Sequence, residues 1–353
     1  MKILHTSDLH LTDNKNYRWE ALTQLLKIAD EQQVELMVIS GDLFDSKKAG
    51  EHLRTEIRHL FSQNSYTIVL IPGNHDSEVF NRGFYLGDNV ITISDYRKPL
   101  QLKQVDIWGF PYRKMEKQEV QRQIIEIEDI INRQKRNILL FHGELLDTMF
   151  CSEDYGDEVS YRYMPVKLDY FQKSSFNYIL AGHYHTKFDV RTFNENGYFV
   201  YPGSPVSVTR KEIGRRKVNL FSLGNPPEEF DLQTFHYIQV EVSLNPLSDI
   251  NPYSIIADQL NKIQGEQNII LNIKGYYRSS EFKLTEQQLI EKIKTEFSKK
   301  LDSINSYFKD VKFILDDDLY IKFQTELEKQ DISPENKQKL TDIFIETMCR
   351  VDI

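Results

Sequence analysis

Residues 67–80 read TIVLIPGNHDSEVF. The run Thr67–Ile71 is apolar and β-branched, the composition of a buried strand. Pro72 and Gly73 break it. An amide, an imidazole and a carboxylate then stand side by side at Asn74, His75 and Asp76. A tight turn accounts for Pro-Gly-Asn. It does not account for a histidine and an aspartate at the end of a buried strand.

The same pattern recurs in both directions along the chain. Lys2–Thr6 runs into SDLH, with Asp8 and His10. Glu35–Ser40 runs into GDLFD, with Asp42 and Asp45. Asn137–Phe141 runs into His142, and YILAG runs into His183 and His185. Five of the nine histidines sit at or just beyond a strand end. Ligands of α/β sheets gather at the carboxyl edge of the strands. One such pair means little, but five strands ending alike is not coincidence.

Residues i and i+2 of an extended chain point the same way. Asp8 and His10 are therefore expected to face one ion if the strand end stays extended. His183 and His185 are expected to share a face aimed at a pair of ions. Gly41, Gly73, Gly143 and Gly182 flank these residues and allow tight turns and close backbone approach. Imidazole, carboxylate and carboxamide oxygen suit divalent Mn, Fe or Zn. No cysteine joins the set, which argues against a thiolate zinc site.

Up to about residue 145 strands alternate with helices. The helical patterns are Trp19–Ala29, the face Leu53, Ile57, Leu60 and Phe61, and Glu116–Gln134. From Phe176 to Leu223 short β runs dominate. The expected fold is α/β, a two-sheet α/β sandwich, with a mostly parallel open sheet as the alternative. The run FHYIQVEV (235–242) either finishes this domain or starts the next, and NPLSDINP (245–252) is the better linker candidate. Beyond it the pattern predicts a helix over Tyr253–Ile263, a strand over Asn268–Lys274, a helix over Glu286–Leu301 and a strand over Val311–Leu315. A last helix spans Ser333–Arg350, with the stripe Leu340, Ile343, Phe344 and Met348. The expected division is 1–235, a small α+β domain over 236–330, and a C-terminal helix within 331–353.

The chain has 353 residues, 40% hydrophobic and 12% aromatic, which describes a folded protein of two or three domains. Its net charge of −9 argues against coating nucleic acid by bulk electrostatics. It leaves open an enzyme that carries cations or a basic partner. No stretch approaches a membrane span and no signal peptide is visible. Cys151 and Cys349 read as free thiols in a reducing, cytoplasmic setting.

The ordered set D-x-H, G-D-x-x-D, G-N-H-D, a lone H and G-H-x-H resembles the calcineurin-like metallophosphoesterases over the first 205 residues or so. MKILHTSDLHL, VISGDLFD, IPGNHD, YILAGHYH and YPGSPVSVTR look like the SbcD-type DNA repair exonuclease subunits, bacterial relatives of the nuclease in the MRN-type double-strand-break repair complex. The resemblance implies a metallophosphoesterase (nuclease) domain followed by a small capping domain. It implies that Asp8, His10, Asp42 and His185 hold one ion and that Asp42, Asn74, His142 and His183 hold a second. It makes His75 the catalytic histidine and gives Asp76 an orienting role. Some relatives place a substrate-touching histidine where this chain has Asp45.

The implied function is a two-metal-dependent DNA exo/endonuclease subunit in DNA end processing and repair, with Mn the first candidate metal. Its partners would be DNA and an SbcC-like coiled-coil ATPase, and a homodimer is compatible. The chain lacks a G-x-x-x-x-G-K-[ST] loop of its own, so ATP dependence would come from that partner. The alternative is a metallophosphodiesterase acting on nucleotides, cyclic nucleotides or another phosphoester. A non-enzymatic scaffold is disfavoured because every ligand position is filled. The basic segment Arg210–Lys217 (RKEIGRRK) reads equally as a DNA-phosphate contact or a solvated turn.

Overall fold

A computed structural model describes residues 1–80, 83–147, 164–263 and 268–351. Cys151 and the side chain of Cys349, on which the free-thiol reading rests, lie outside the described residues. The chain divides into two compact units, Met1–His236 and Tyr237–Ile353.

The first unit holds two six-stranded sheets. Strands β1 (Lys2–Thr6), β2 (Leu36–Ser40), β3 (Thr67–Ile71) and β4 (Val90–Thr92) run parallel in one sheet. The other contains β5 (Leu100–Gln101), β6 (Val105–Phe110), β7 (Arg136–His142), β8 (Tyr178–Gly182), β9 (Asp189–Asn194) and β10 (Gly197–Tyr201). Its order is β5-β6-β7-β8-β10-β9, with β6, β7, β8 and β10 parallel. Strands β11 (Lys217–Ser222) and β12 (Glu229–Asp231) return to the first sheet, where β11 pairs antiparallel with β1, Leu4 opposite Leu220. This is the two-sheet sandwich, not the open sheet.

The side-chain period of two builds three apolar layers. Ile3, Leu36, Val38, Val69 and Ile71 of the first sheet meet Val105, Ile107, Ile138, Leu140 and Leu180 of the second. On the outer face of the first sheet, Leu4, Met37 and Ile39 pack under helices α1 (Tyr17–Glu31) and α2 (Lys47–Ser62). Asn16 and Ser46 cap these helices, each accepting a backbone N–H from the first turn. On the second sheet Trp108, Leu139 and Ile179 lie against Val120, Ile124 and Ile127 of α3 (Lys117–Glu128). Helix α3 stops six residues short of the expected Gln134; beyond it Ile130 points to solvent, while Ile131 still packs into the same core.

The second unit is a βαβαβ array. Strands β13 (Tyr237–Leu244), β14 (Asn268–Tyr277) and β15 (Leu301–Asp310) are all parallel. Helices α4 (Pro252–Asn261) and α6 (Glu286–Glu296) bury Ile256, Leu260, Leu289 and Ile293 against them, and α5 (Ser279–Phe282) is one turn. NPLSDINP joins β13 to α4 inside this unit, so it is not a linker between units. The expected strand over Val311–Leu315 is wrong. The strand is β15, and Lys312–Leu315 forms the short helix α7. Five consecutive apolar or aliphatic-stemmed residues carry no period, so they do not separate strand from helix. Helices α8 (Asp318–Glu328) and α9 (Pro334–Val351) follow, and Phe323 stacks on Phe344 at 4.1 Å. Of the predicted stripe, Phe344 and Met348 pack inward while Leu340 and Ile343 are exposed. Among the described residues no helix is long and apolar enough to cross a membrane.

Candidate metal centre

Every one of the five strand ends delivers its side chains to one cluster. Asp8 and His10 follow β1, Asp42 follows β2, and Asn74 and His75 follow β3. His142 ends β7, and His183 and His185 follow β8. Asp8, His10, Asp42, His142, His183 and His185 are buried, while Asn74 and His75 are half-buried.

The convergence does not come from extended strand ends. Asp8 (φ 56°), His10 (φ 49°), Asp42 (φ 51°) and His183 (φ 92°) all adopt left-handed backbone. Such φ values are uncommon outside glycine and cluster where a site holds them. The expected i, i+2 alternation is therefore replaced by a series of tight turns. Backbone bonds lace these turns together, Asp8 N–H donating to Gly41 O at 3.1 Å and His10 N–H to Asp42 O at 3.0 Å. His183 and His185 diverge: the His183 ring packs beside His142, whereas His185 lies with His10 and Asp8.

Around Asp8, His185 Nε2 lies 3.5 Å from Oδ1 and 3.2 Å from His10 Nε2. Asp8 also accepts the His183 N–H at 3.1 Å and the Ser7 hydroxyl at 2.5 Å. Around Asp42, Oδ2 lies 3.2 Å from His142 Nε2 and 3.8 Å from His10 Nε2. Asn74 Oδ1 lies 2.9 Å from His142 Nε2, and His142 Nδ1 donates to Ser40 O at 2.8 Å. Three donor sets each fall within 4.8 Å: Asp8, His10 and His185; Asp8, Asp42 and His142; and His10, Asp42 and His75. Asp8, His10 and Asp42 each belong to two of them.

Burial alone would raise the carboxyl pKa values of Asp8 and Asp42. The neighbouring imidazoles more than reverse it, His185 for Asp8 and His142 for Asp42, so both are held well below the usual carboxylate range. Burial pulls His142 down, but the Asp42 charge and hydrogen bond lift it to about 9. His185 is likewise raised, Asp8 and Glu212 outweighing burial. His10, where burial wins, falls to about 4. The cluster thus pairs two firmly ionised carboxylates with two imidazoles that hold protons, His142 and His185, and a third, His10, that burial keeps neutral.

The loop residues have separate tasks. Asp76 accepts Gly73 N–H at 2.8 Å and Phe44 N–H at 3.1 Å, tying the GNHD turn to the GDLFD turn. Burial, and then the Asp42 charge, pushes its carboxyl up to about 7. His75 donates its own N–H to Asp42 Oδ1 at 2.9 Å, and its ring Nδ1 lies 3.0 Å from the Asp45 carbonyl oxygen. Arg18 Nη1 reaches Asp45 Oδ1 at 2.9 Å and the His10 carbonyl at 2.5 Å. Asp45 thus meets His75 through its backbone and Arg18 through its carboxylate.

Within Arg210–Lys217, Glu212 and Arg216 are 1% and 2% exposed, so neither the DNA-contact nor the solvated-turn reading applies to them. They are the site residues that sequence reading missed. The only local signal was an acidic residue inside a basic run.

Donors of this kind, ionised carboxylates and imidazoles converging in a buried pocket, fit divalent cations. Sandwich and cluster together define a metal-dependent phosphoesterase. Residues 1–187 match the calcineurin-like phosphoesterase family, more than half of the chain, and the chain belongs to it. It is 26% identical over 328 residues to the SbcD component of the SbcCD nuclease of Staphylococcus epidermidis, covering 81% of this chain and 79% of that protein. It is 25% identical over 293 residues to the DNA double-strand break repair protein Mre11 of Methanococcus maripaludis, covering 76% and 75%. A shorter match to the SbcD component of the Escherichia coli (strain K12) SbcCD nuclease is 35% identical over 86 residues, 22% of each chain.

Proposed function

We propose that this protein is a two-metal DNA exo/endonuclease subunit that hydrolyses phosphodiester bonds in DNA end processing. The observation that carries the chemistry is the placement of Asp42 between His142 and His10. The likeness to a nuclease component and to a DNA double-strand break repair protein, each over three quarters or more of the chain, supports the substrate. In this reading Asp8, His10, Asp42 and His185 hold one cation, and Asp42, Asn74, His142 and His183 hold the other, with Asp42 shared. Mn is the metal we assign. When bound, the cations supply Lewis acidity and neutralise phosphate charge.

The residues then divide the work. Asp8 and Asp42 stay ionised at any working pH. With Nδ1 engaged by the Asp45 carbonyl, His75 exchanges its proton through Nε2 and protonates the leaving oxygen. Distance alone also admits His75 as a ligand. Its half-exposed position at the cluster edge favours the catalytic role. Residues 1–235 carry 29 Lys+Arg against 33 Asp+Glu, a net −4 that the +4 of two divalent ions would offset. An SbcC-like coiled-coil ATPase would hold the duplex, and the exposed Leu319, Ile321, Leu340 and Ile343 of α8 and α9 are the surface we assign to it.

The test sets labelled single-stranded and hairpin DNA against bis-p-nitrophenyl phosphate and cyclic nucleotides, with Asp8→Ala as the blank. Mn-dependent DNA cleavage that falls with salt is the expected result. Hydrolysis of the small esters without DNA cleavage, with and without the ATPase, would move the protein to nucleotide-type substrates.

A further inference from the structure

We propose that Glu212 is a positioning residue for the metal centre, holding the His185 ring by its Nδ1–H so that Nε2 faces Asp8 and His10. The inference rests on the two-metal reading and names a residue outside its ligand set. His185 Nδ1 lies 3.3 Å from Glu212 Oε1, and His185 Nε2 lies 3.5 Å from Asp8 Oδ1. An imidazole that donates from Nδ1 to a carboxylate presents the Nε2 lone pair on its opposite edge.

The carboxylate is itself immobilised. Glu212 Oε2 accepts from Ser204 Oγ at 2.7 Å and from Val208 N–H at 2.8 Å. Oε1 accepts from Thr209 N–H at 3.1 Å and Thr209 Oγ1 at 3.2 Å. With these donors satisfied, Glu212 acts toward His185 only as an acceptor. The segment also grips the backbone of the same histidine. Arg216 Nη2 donates to the His185 carbonyl, Nη1 to Thr186 O at 2.9 Å and Nε to Ser204 O at 3.0 Å. Ser204 N–H donates to the same His185 carbonyl at 3.1 Å. Ring and main chain of His185 are thus both held by residues 204–216. A buried Glu–Arg pair that only braced the loop would have no reason to place its carboxylate on a ligand ring.

The experiment measures Mn binding by titration calorimetry on the whole protein, wild type against Glu212→Gln, with melting of both metal-free proteins as the fold control. The expected result is a metal-free variant that still melts cooperatively, at a lower temperature because the Gln amide turns its NH2 toward one of the donors Glu212 accepts from, and a roughly 10–100-fold loss of affinity at one of the two ions, the range seen when such outer partners are removed. A Glu212→Gln variant that melts cooperatively and keeps wild-type affinity at both ions overturns the proposal. Should the variant fail to fold, nitrogen-15 spectra of the wild-type Zn-loaded protein decide. A His185 ring protonated at Nδ1 and metallated at Nε2 supports it, and the reverse overturns it. Wild-type protein that binds no metal would defeat the two-metal reading itself, and this inference with it.

Discussion

Asp42 and His142 join the two sheets of the sandwich at the site: Asp42 Oδ2 lies 3.2 Å from His142 Nε2, one following β2 and the other ending β7. Both side chains are buried, so this contact sits where the low-dielectric interior makes charge pairing strong. Any cation between them would be held by both sheets at once.

Asp42→Ala should therefore remove at least one ion from the centre. Metal analysis of protein reconstituted with Mn should give about two ions per chain in the wild type and none, or one weakly held, in the variant. A stoichiometry that Asp42→Ala leaves unchanged would remove Asp42 from the centre.

His75→Asn should separate catalysis from binding. Both ions should remain, while the rate falls roughly a hundredfold or more, the scale of one acid–base group. Loss of metal in this variant would make His75 a ligand. Full activity would leave it a loop residue held by the Asp45 carbonyl.

The metal-free protein should lose stability as pH rises from 6.5 to 9. His142 holds its proton up to about 9 in the folded state, against an ordinary value of 6.5 for an exposed histidine. Between those values the folded chain binds a proton that the unfolded chain releases, so the stabilisation is complete below 6.5 and gone above 9. The upper bound is about 3 kcal/mol for a buried group shifted this far. Urea melts of metal-stripped protein across this range measure it. Mn should flatten the dependence, because a cation replaces the proton beside Asp42. Stability of the stripped protein that rises with pH across this window would contradict the pairing.

Gly41→Ala should damage fold and site together. Gly41 has φ 94°, and a Cβ there would collide with the His142 imidazole. Left-handed strain and overpacking together cost about 2 kcal/mol or more, readable as a lower urea midpoint, and metal affinity should fall with it. A variant with the wild-type midpoint and full metal loading would show that the ring and the β2 turn can part without cost.

Apart from Glu212 and Arg216, the side chains that converge at the candidate site were legible because their signals are local. A strand announces itself by a short run of mostly apolar, mostly β-branched residues, as at Thr67–Ile71, and a ligand type is a property of one side chain. Sheet-end placement needs only chain order. The helix faces under the first sheet were legible for the same reason, since Leu53, Ile57 and Phe61 repeat with the helical period.

What the sequence alone determined, then, was the kind of protein: an α/β chain whose strands end in carboxylate, amide and imidazole donors. Only the tertiary structure decided how those donors meet. Asp8 and His10 converge through left-handed turns that no periodicity encodes, because the backbone bonds from Gly41 and Asp42 that stabilise them come from another strand. His183 and His185 part company for the same reason, each taking its neighbours from a distant turn. Glu212 and Arg216 looked like members of a basic surface run, since charge patterning assumes exposure. Their burial follows from the return of the chain through β10 and β11, which brings residues 204–216 onto His185. Contacts between residues 27 or 175 positions apart depend on packing of whole sheets, and that is not written in any short stretch of the chain.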